Sequence, residues 1–240
     1  MQIVTVQFNY EDRSDYKKLL DVFEYSCKKN MPKAVFNSIR IDAPVNNTDR
    51  ALNFKYNTVK LRIWTEFLEK TKDKHVILAD CDMLSLRPAG YAFKKDFDVA
   101  YTERTRISRI PMNGGILFVK VNRRSINFFK EWLRINIKMF KDKEFHQKYR
   151  RKYAGMNQAA FGYMYQHKRG LCKLHRFYTK EFNAVDCDWP TVDKKTVFLH
   201  TKSTLRKLVL GEKKMIPKYK RYKHCIDLWN KYYREMERSK

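Results

Sequence analysis

The stretch HVILADCDMLSLRP, residues 75–88, runs through four apolar residues and ends on two aspartates one position apart, Asp80 and Asp82. In an extended chain residues i and i+2 project to the same side, so both carboxylates can face one ligand while Cys81 turns inward. Two hard oxygens meeting at a strand end suit Mg²⁺ or Mn²⁺, ions that keep positions open for phosphate oxygens and neutralise a diphosphate. The competing reading is a turn, because aspartates begin turns and Pro88 follows. A second D-C-D, Asp186 to Asp188 in NAVDCDWP, has no long apolar strand before it and reads as a loop. In MNGGILFVKV, Asn113, Gly114 and Gly115 precede another apolar run. Missing side chains there would let a ligand approach the backbone, or would serve a tight turn.

These residues need elements to hold them. IVTVQF reads as a first strand, DYKKLLDVFEYSCKKN as a helix with Leu19, Leu20, Val22, Phe23 and Cys27 at helical spacing, and PKAVFNSIRID as a second strand. NFKYNTVKLRIWTEFLEKTK predicts a long helix ahead of the strand HVILADCD. FDVAYTE and GGILFVKV read as further strands, and SINFFKEWLRINIKMF as an amphipathic helix continuing into the basic stretch KDKEFHQKYRRK. Alternating strands and helices predict an open, Rossmann-like α/β sheet, mainly parallel and flanked by helices, with ligands bound at the carboxyl ends of its strands. Asp80 and Asp82 lie at such an end.

The chain of 240 residues is long enough for one such domain, expected over residues 1–205, with a basic helical extension over 206–240 packed on it. No stretch approaches a membrane span, and MQIVTVQFNYED has none of the features of a signal peptide, so a cytoplasmic location is expected. Five scattered cysteines without C-x-x-C spacing argue against a disulfide framework or a zinc site. The charge is abnormal. Lys and Arg number 52 against 26 acids, a net +26, and two clusters carry much of the excess. One is residues 141–152. The other is KSTLRKLVLGEKKMIPKYKRYK, with nine basic residues, Glu212 as its single acid, and Tyr219 and Tyr222 interleaved. A polyanionic partner is the expectation, against the plainer reading of a solvated face.

The ordered set NTVKLRIWTEFLEK, HVILADCDMLSL, MNGGILFVKV, MNQAAFGYM and FLHTKS resembles the GT-A nucleotide-sugar glycosyltransferases. It is most similar to family 8, the glycogenin and bacterial galactosyltransferase type, across roughly residues 1–205. The resemblance implies a metal-dependent hexosyltransferase using a nucleotide-diphosphate sugar, UDP-sugar foremost. It implies Asp80, Asp82 and His200 as ligands of Mn²⁺ or Mg²⁺, with Lys202 on the diphosphate. His200 ends the apolar run TVFL, so by alternation its imidazole and the Lys202 ammonium point to the same side. A basic residue on the preceding helix, Lys60 or Arg62, would touch the diphosphate. Residues two apart on a helix diverge by about 200°, so one of the two faces the site, and Arg62 is preferred. Phe8, Asn9 and Tyr10 end the first strand, where this fold receives the base, with Phe8 or Tyr10 available to stack. An apolar strand end explains them equally.

Asn157 and Gln158 stand where the family usually has Asp-Gln, so a carboxylate near the transferred sugar is here an amide. The family leans toward retention, with Gln158 near the reacting sugar. Inversion would need a base among Glu103, Asp186 and Asp188. The acceptor is expected to be polyanionic, with hydroxymethylated DNA bases as one fitting case and a lipid-linked or envelope glycan at an anionic membrane as another. A nucleic-acid-binding module without chemistry would explain the charge but not the combination of Asp80, Asp82, His200 and Lys202.

Overall fold

The apolar runs of the central strands are buried on both faces, which is why they read as continuous stretches rather than as alternation. The computed structural model describes residues 1–10, 15–43, 50–104, 112–153 and 155–240, with backbone alone at 10, 15, 43 and 50–53. The elements are β1 (Gln2–Tyr10), α1 (Asp15–Asn30), β2 (Val35–Ala43), α2 (Arg50–Lys70), β3 (His75–Ala79) and β4 (Met83–Ser85). There follow β5 (Val99–Glu103), β6 (Met112–Lys120), α3 (Arg123–Lys141), α4 (Lys143–Tyr153) and α5 (Asn157–His167). The chain closes with β7 (Leu174–Tyr178), α6 (Thr179–Phe182), β8 (Phe198–His200), α7 (Ser203–Val209) and α8 (Lys223–Arg238).

Six strands form one sheet in the order β2-β1-β3-β6-β5-β7. β1 runs parallel to β2 and β3, and β7 parallel to β5, while β6 is antiparallel to both its neighbours. The sheet is therefore mainly parallel, with β6 alone reversed. Alternate residues feed two cores. Val4, Val6, Leu78, Leu117 and Val119 pack with Trp64, Phe128, Trp132 and Phe161 from α2, α3 and α5. Ile3, Ile77, Ile116 and Phe118 pack with Phe23 of α1 and with Phe182. Each such large side chain contributes about 1.5–3 kcal/mol by leaving water. The chain leaves β1 toward one side and reaches β3 on the other, so a crevice opens outside the carboxyl ends of these two strands.

One expectation changes. The helix expected to run on into residues 141–152 is two helices, because Asp142 leaves helical geometry and its Oδ1 accepts from the Phe145 N–H at 2.9 Å, starting α4. β8 is outside the main sheet and pairs antiparallel with β4 in a two-stranded ribbon. The C-terminal residues pack on the domain itself. Trp229, Tyr232 and Met236 of α8 share a core with Leu19 and Val22 of α1, and with Leu84 and Leu199 of the ribbon. Tyr219 and Tyr222 are buried there, not displayed between the basic residues. No described helix is long and apolar enough to cross a membrane, and all five cysteines are free.

Candidate active site

β3 ends at Ala79, and the Asp80 N–H extends its ladder with β6 by donating to Gly115 O at 2.8 Å. The chain then turns, so that Asp82 directly precedes β4, whose Met83 pairs with His200 of β8. The result is a cluster from two distant parts of the sequence. His200 Nε2 lies 3.1 Å from Asp82 Oδ1 and 3.8 Å from Asp80 Oδ2. One ligand atom from each of Asp80, Asp82 and His200 lies within 4.8 Å of the others. The donor set fits a divalent ion: two carboxylates and an imidazole suit Mn²⁺ or Mg²⁺, and the imidazole favours Mn²⁺. Asp82 and His200 are both buried, which concentrates the charge of the pair at one point.

Cations surround this cluster. Lys60 Nζ bonds Asp80 Oδ1 at 2.6 Å, and Arg206 Nη1 stands 3.8 Å from Asp82 Oδ2 while donating to Tyr16 Oη at 2.7 Å. Lys202 Nζ is 3.9 Å from Asp186 Oδ1, which also accepts from Arg104 at 3.1 Å. Burial tends to raise the Asp82 pKa, but the charge and hydrogen bond of His200, and then the charge of Arg206, outweigh it and hold the carboxyl below its usual range. Burial first, and then Arg104, lower the Lys202 ammonium. An incoming anion would reverse that tendency. Burial and the two flanking aspartates raise the Cys81 thiol far above the usual range.

Two hollows of about 200 and 280 Å³ meet at this seam and share Asn57, Lys60, Asp80 and Asp82. The first has aromatic walls: Phe8 and Tyr56 have ring centroids 4.8 Å apart, and Tyr16 and Arg206 face them. The second is polar and is lined by Asn113, Gly114, Asn157, Gln158, His200 and Lys202, among others.

The expected residues divide accordingly. Lys60 enters the site, whereas Arg62 is exposed, so the preference between them is reversed. Phe8 faces the aromatic hollow, but Asn9 bonds Asp42 of β2 at 3.2 Å, and the Tyr10 side chain lies outside the described residues. Gln158 borders the polar hollow and anchors its amide nitrogen on Met112 O at 2.7 Å and Tyr153 O at 3.1 Å. Asn157 borders it too, but its amide bridges helices, donating to Asn57 O at 2.9 Å and accepting from Asn136 at 2.7 Å. Both glycines line the polar hollow; a Cβ on Gly114 would meet ordinary contacts, while one on Gly115 would collide with the His200 ring. Asp188 is buried and accepts from the Val185 N–H at 3.2 Å as a turn residue. Its neighbour Asp186 is the member of that copy facing Lys202. Glu103 pairs with Arg176 at 3.0 Å and lines neither hollow.

Sequence reasoning missed Arg206, hidden among tail cations, and Tyr16 and Tyr56, which lie on helices with no local signal of a site. It also missed Asn183, 0% exposed, whose Oδ1 lies 3.0 Å from His200 Nδ1.

The model of the nucleotide-diphospho-sugar transferase family matches residues 21–207, well over half of the chain. No curated protein matches the sequence. Among solved structures the chain is similar to a glycosyltransferase involved in the glycosylation of the major capsid of PBCV-1, with 13% identity and a TM-score of 0.61 over 88% of this chain and 98% of that one. It is also similar to the glycosyltransferase GlyE of Streptococcus pneumoniae TIGR4, with 10% identity and a TM-score of 0.58 over 97% of this chain and 59% of that one. At such identities the likeness is one of fold, and the fold is the GT-A arrangement.

Proposed function

Since the chain belongs to the nucleotide-diphospho-sugar transferase family and is a glycosyltransferase of the GT-A fold, we propose that it moves a hexose from a UDP-sugar to a hydroxyl acceptor with the help of Mn²⁺ or Mg²⁺. The observation that carries this reading is the convergence of Asp80, Asp82 and His200 at the seam between an aromatic and a polar hollow. A nucleotide sugar has the same sequence of parts: a flat base, a charged diphosphate, a polar ring. Phe8, Tyr56 and Tyr16 would hold the base and ribose by stacking and edge contacts. Lys60, Arg206 and Lys202 would bind the diphosphate. Asp80, Asp82 and His200 would hold the ion, which when bound neutralises charge developing on the leaving diphosphate. Gln158, its nitrogen anchored on two carbonyls, has its Oε1 left to accept from a sugar hydroxyl.

What lines the polar hollow supports a retaining reaction. Among the described residues its only carboxylates are Asp80 and Asp82, both committed to the ion cluster. An inverting reaction needs a free base beside the acceptor. Retention is therefore the reading adopted.

For the acceptor, the two basic clusters supply attraction to a polyanion, and residues 211–218 are exposed throughout. The interleaved Tyr219 and Tyr222, which could have stacked on bases exposed by opening a hydroxymethylated duplex, are buried. Exposed instead are Met215, at 46%, and Ile216, at 40%, between Lys213, Lys214 and Lys218. Apolar side chains ringed by lysine suit an anionic membrane interface, where lipid-linked or envelope glycans are carried. That acceptor class is favoured over DNA.

The test is a screen of nucleotide sugars with Mn²⁺, read by mass spectrometry, for the wild type, Asp82→Asn and Asp188→Asn. Mn²⁺-dependent cleavage of a UDP-sugar, lost in Asp82→Asn and retained in Asp188→Asn, is expected. Equal activity in all three proteins sinks the metal assignment. Adding vesicles of anionic or neutral lipid carrying a glycolipid, or a hydroxymethylated duplex, tests the acceptor. Transfer confined to the duplex would overturn the preference for a membrane-borne glycan.

A further inference from the structure

The His200 ring is held on the side away from the aspartates by hydrogen bonds that have one consistent assignment. The Gly115 N–H, which can only donate, meets Asn113 Oδ1 at 3.0 Å. Asn183 approaches that same oxygen at 3.0 Å and must therefore present Nδ2 to it. The second hydrogen of Nδ2 goes to Thr102 Oγ1 at 2.8 Å, whose own hydrogen is directed to Asn113 O at 3.1 Å. With both amide hydrogens used, the atom that Asn183 turns toward His200 Nδ1 is Oδ1, at 3.0 Å. An amide oxygen only accepts, so Nδ1 carries a proton, and Nε2, 3.1 Å from Asp82 Oδ1, is the nitrogen aimed at the aspartates, where a bound ion would take the place of its hydrogen bond to Asp82. Asn183 and Thr102 are fully buried and Asn113 nearly so, which keeps water from competing for these bonds. Gly115 completes the seat. A Cβ there would lie 2.5 Å from His200 Cε1 and 2.6 Å from Nδ1, closer than carbon contacts allow.

We propose that Asn183 is a positioning residue for the divalent ion: with Asn113, Thr102 and Gly115 it locks His200 in the Nδ1–H tautomer and presents Nε2 to the site formed with Asp80 and Asp82. The inference rests on the metal-dependent reading above and adds the residues that orient its imidazole. It also explains why Gly115 cannot carry a side chain, a position at which a glycine otherwise suggests ligand approach. Partners of this kind to ligating histidines typically matter by ~10–100-fold in metal affinity.

Two measurements test it. Calorimetric titration with Mn²⁺ of the wild type, Asn183→Leu, Gly115→Ala and Asp82→Asn should show affinity lowered ~10–100-fold in both Asn183→Leu and Gly115→Ala. Long-range ¹H–¹⁵N spectra of the wild type with Mg²⁺, in which the His200 signals are identified by their absence from His200→Gln, should show the Nδ1–H form. The second measurement needs the folded wild type and His200→Gln but not Asn183→Leu, so a failure of Asn183→Leu to fold leaves the proposal exposed to disproof. An Nε2–H tautomer, or unchanged Mn²⁺ affinity in Asn183→Leu while Asp82→Asn is weakened, overturns the role of Asn183 alone. Failure of the wild type to bind Mn²⁺ more tightly than Asp82→Asn overturns the metal reading and this inference together.

Discussion

Thr201 donates both its backbone N–H and its hydroxyl to the carbonyl oxygen of Asp82, at 2.8 and 2.6 Å, and is itself fully buried. The two residues are 119 positions apart. This pair of hydrogen bonds to one carbonyl fastens β8 to the turn after β3, so the imidazole one residue before Thr201 and the carboxylate of Asp82 are delivered to the same point. Lys202, one residue further on, is placed over the same seam.

Thr201→Val keeps the shape of the side chain and removes the hydroxyl bond. A stability loss of about 1 kcal/mol is expected in denaturant titration, with a higher Mn²⁺ requirement for turnover. Unchanged values of both would mean that the backbone bond alone sets the ribbon.

Lys60 and Arg62 offer a matched pair on one helix. Lys60→Met should raise the apparent UDP-sugar KM at least about tenfold, the scale of one charge-assisted contact to a diphosphate at ~1.5–3 kcal/mol. Arg62→Met, on the exposed face, should leave KM within experimental error. Equal effects of the two changes would refute the placement of Lys60.

Asp98 supplies a pH signature away from the active site. Burial opposes its charge, but the Lys173 N–H at 2.7 Å, Asn122 and Arg124 more than compensate and hold its pKa below the ordinary carboxylate value. A depressed folded pKa stabilises above the unfolded value, near 3.9, and that stability is lost as pH falls through the folded value. Asp98→Asn should be less stable than the wild type by about 1–3 kcal/mol at neutral pH, with the gap closing below about pH 4. A gap constant from pH 7 to pH 2 in urea titrations would contradict this.

Met215 and Ile216 are exposed among lysines. Changing both to Ser should release the protein from anionic vesicles in a flotation assay, while hydrolysis of the UDP-sugar without acceptor stays unchanged. Neutralising Lys213, Lys214, Lys218, Lys220 and Arg221 should weaken the same binding and flatten its salt dependence. Binding that survives both changes would return the segment to a solvated surface.

The aspartate pair at the end of a buried strand, the glycines at the start of an apolar run and the His-x-Lys at the end of β8 were legible in the sequence, because each is a local pattern at one end of an apolar run, although the structure takes the glycines into β6 itself. So were the α/β order and the basic extension. The sequence also limited Lys60 and Arg62 to one facing residue, since the helical period is a local property. Which of the two faces the site was decided by tertiary structure, because periodicity orients a side chain only relative to its own element. The core contact that turns α2, Trp64 and Leu68 against β1 and β3, aims Lys60 at Asp80. The same reason covers what sequence reasoning missed. Arg206 looks like any other tail cation until α7 packs it beside Asp82, and Asn183 is an unremarkable polar residue until the fold places its amide oxygen against His200. A hydrogen-bond chain running from Gly115 N–H through Asn113 and Asn183 to an imidazole joins residues from three separate segments. Local sequence carries the donors and acceptors of such a chain, and only the packed sheet brings them within bonding distance.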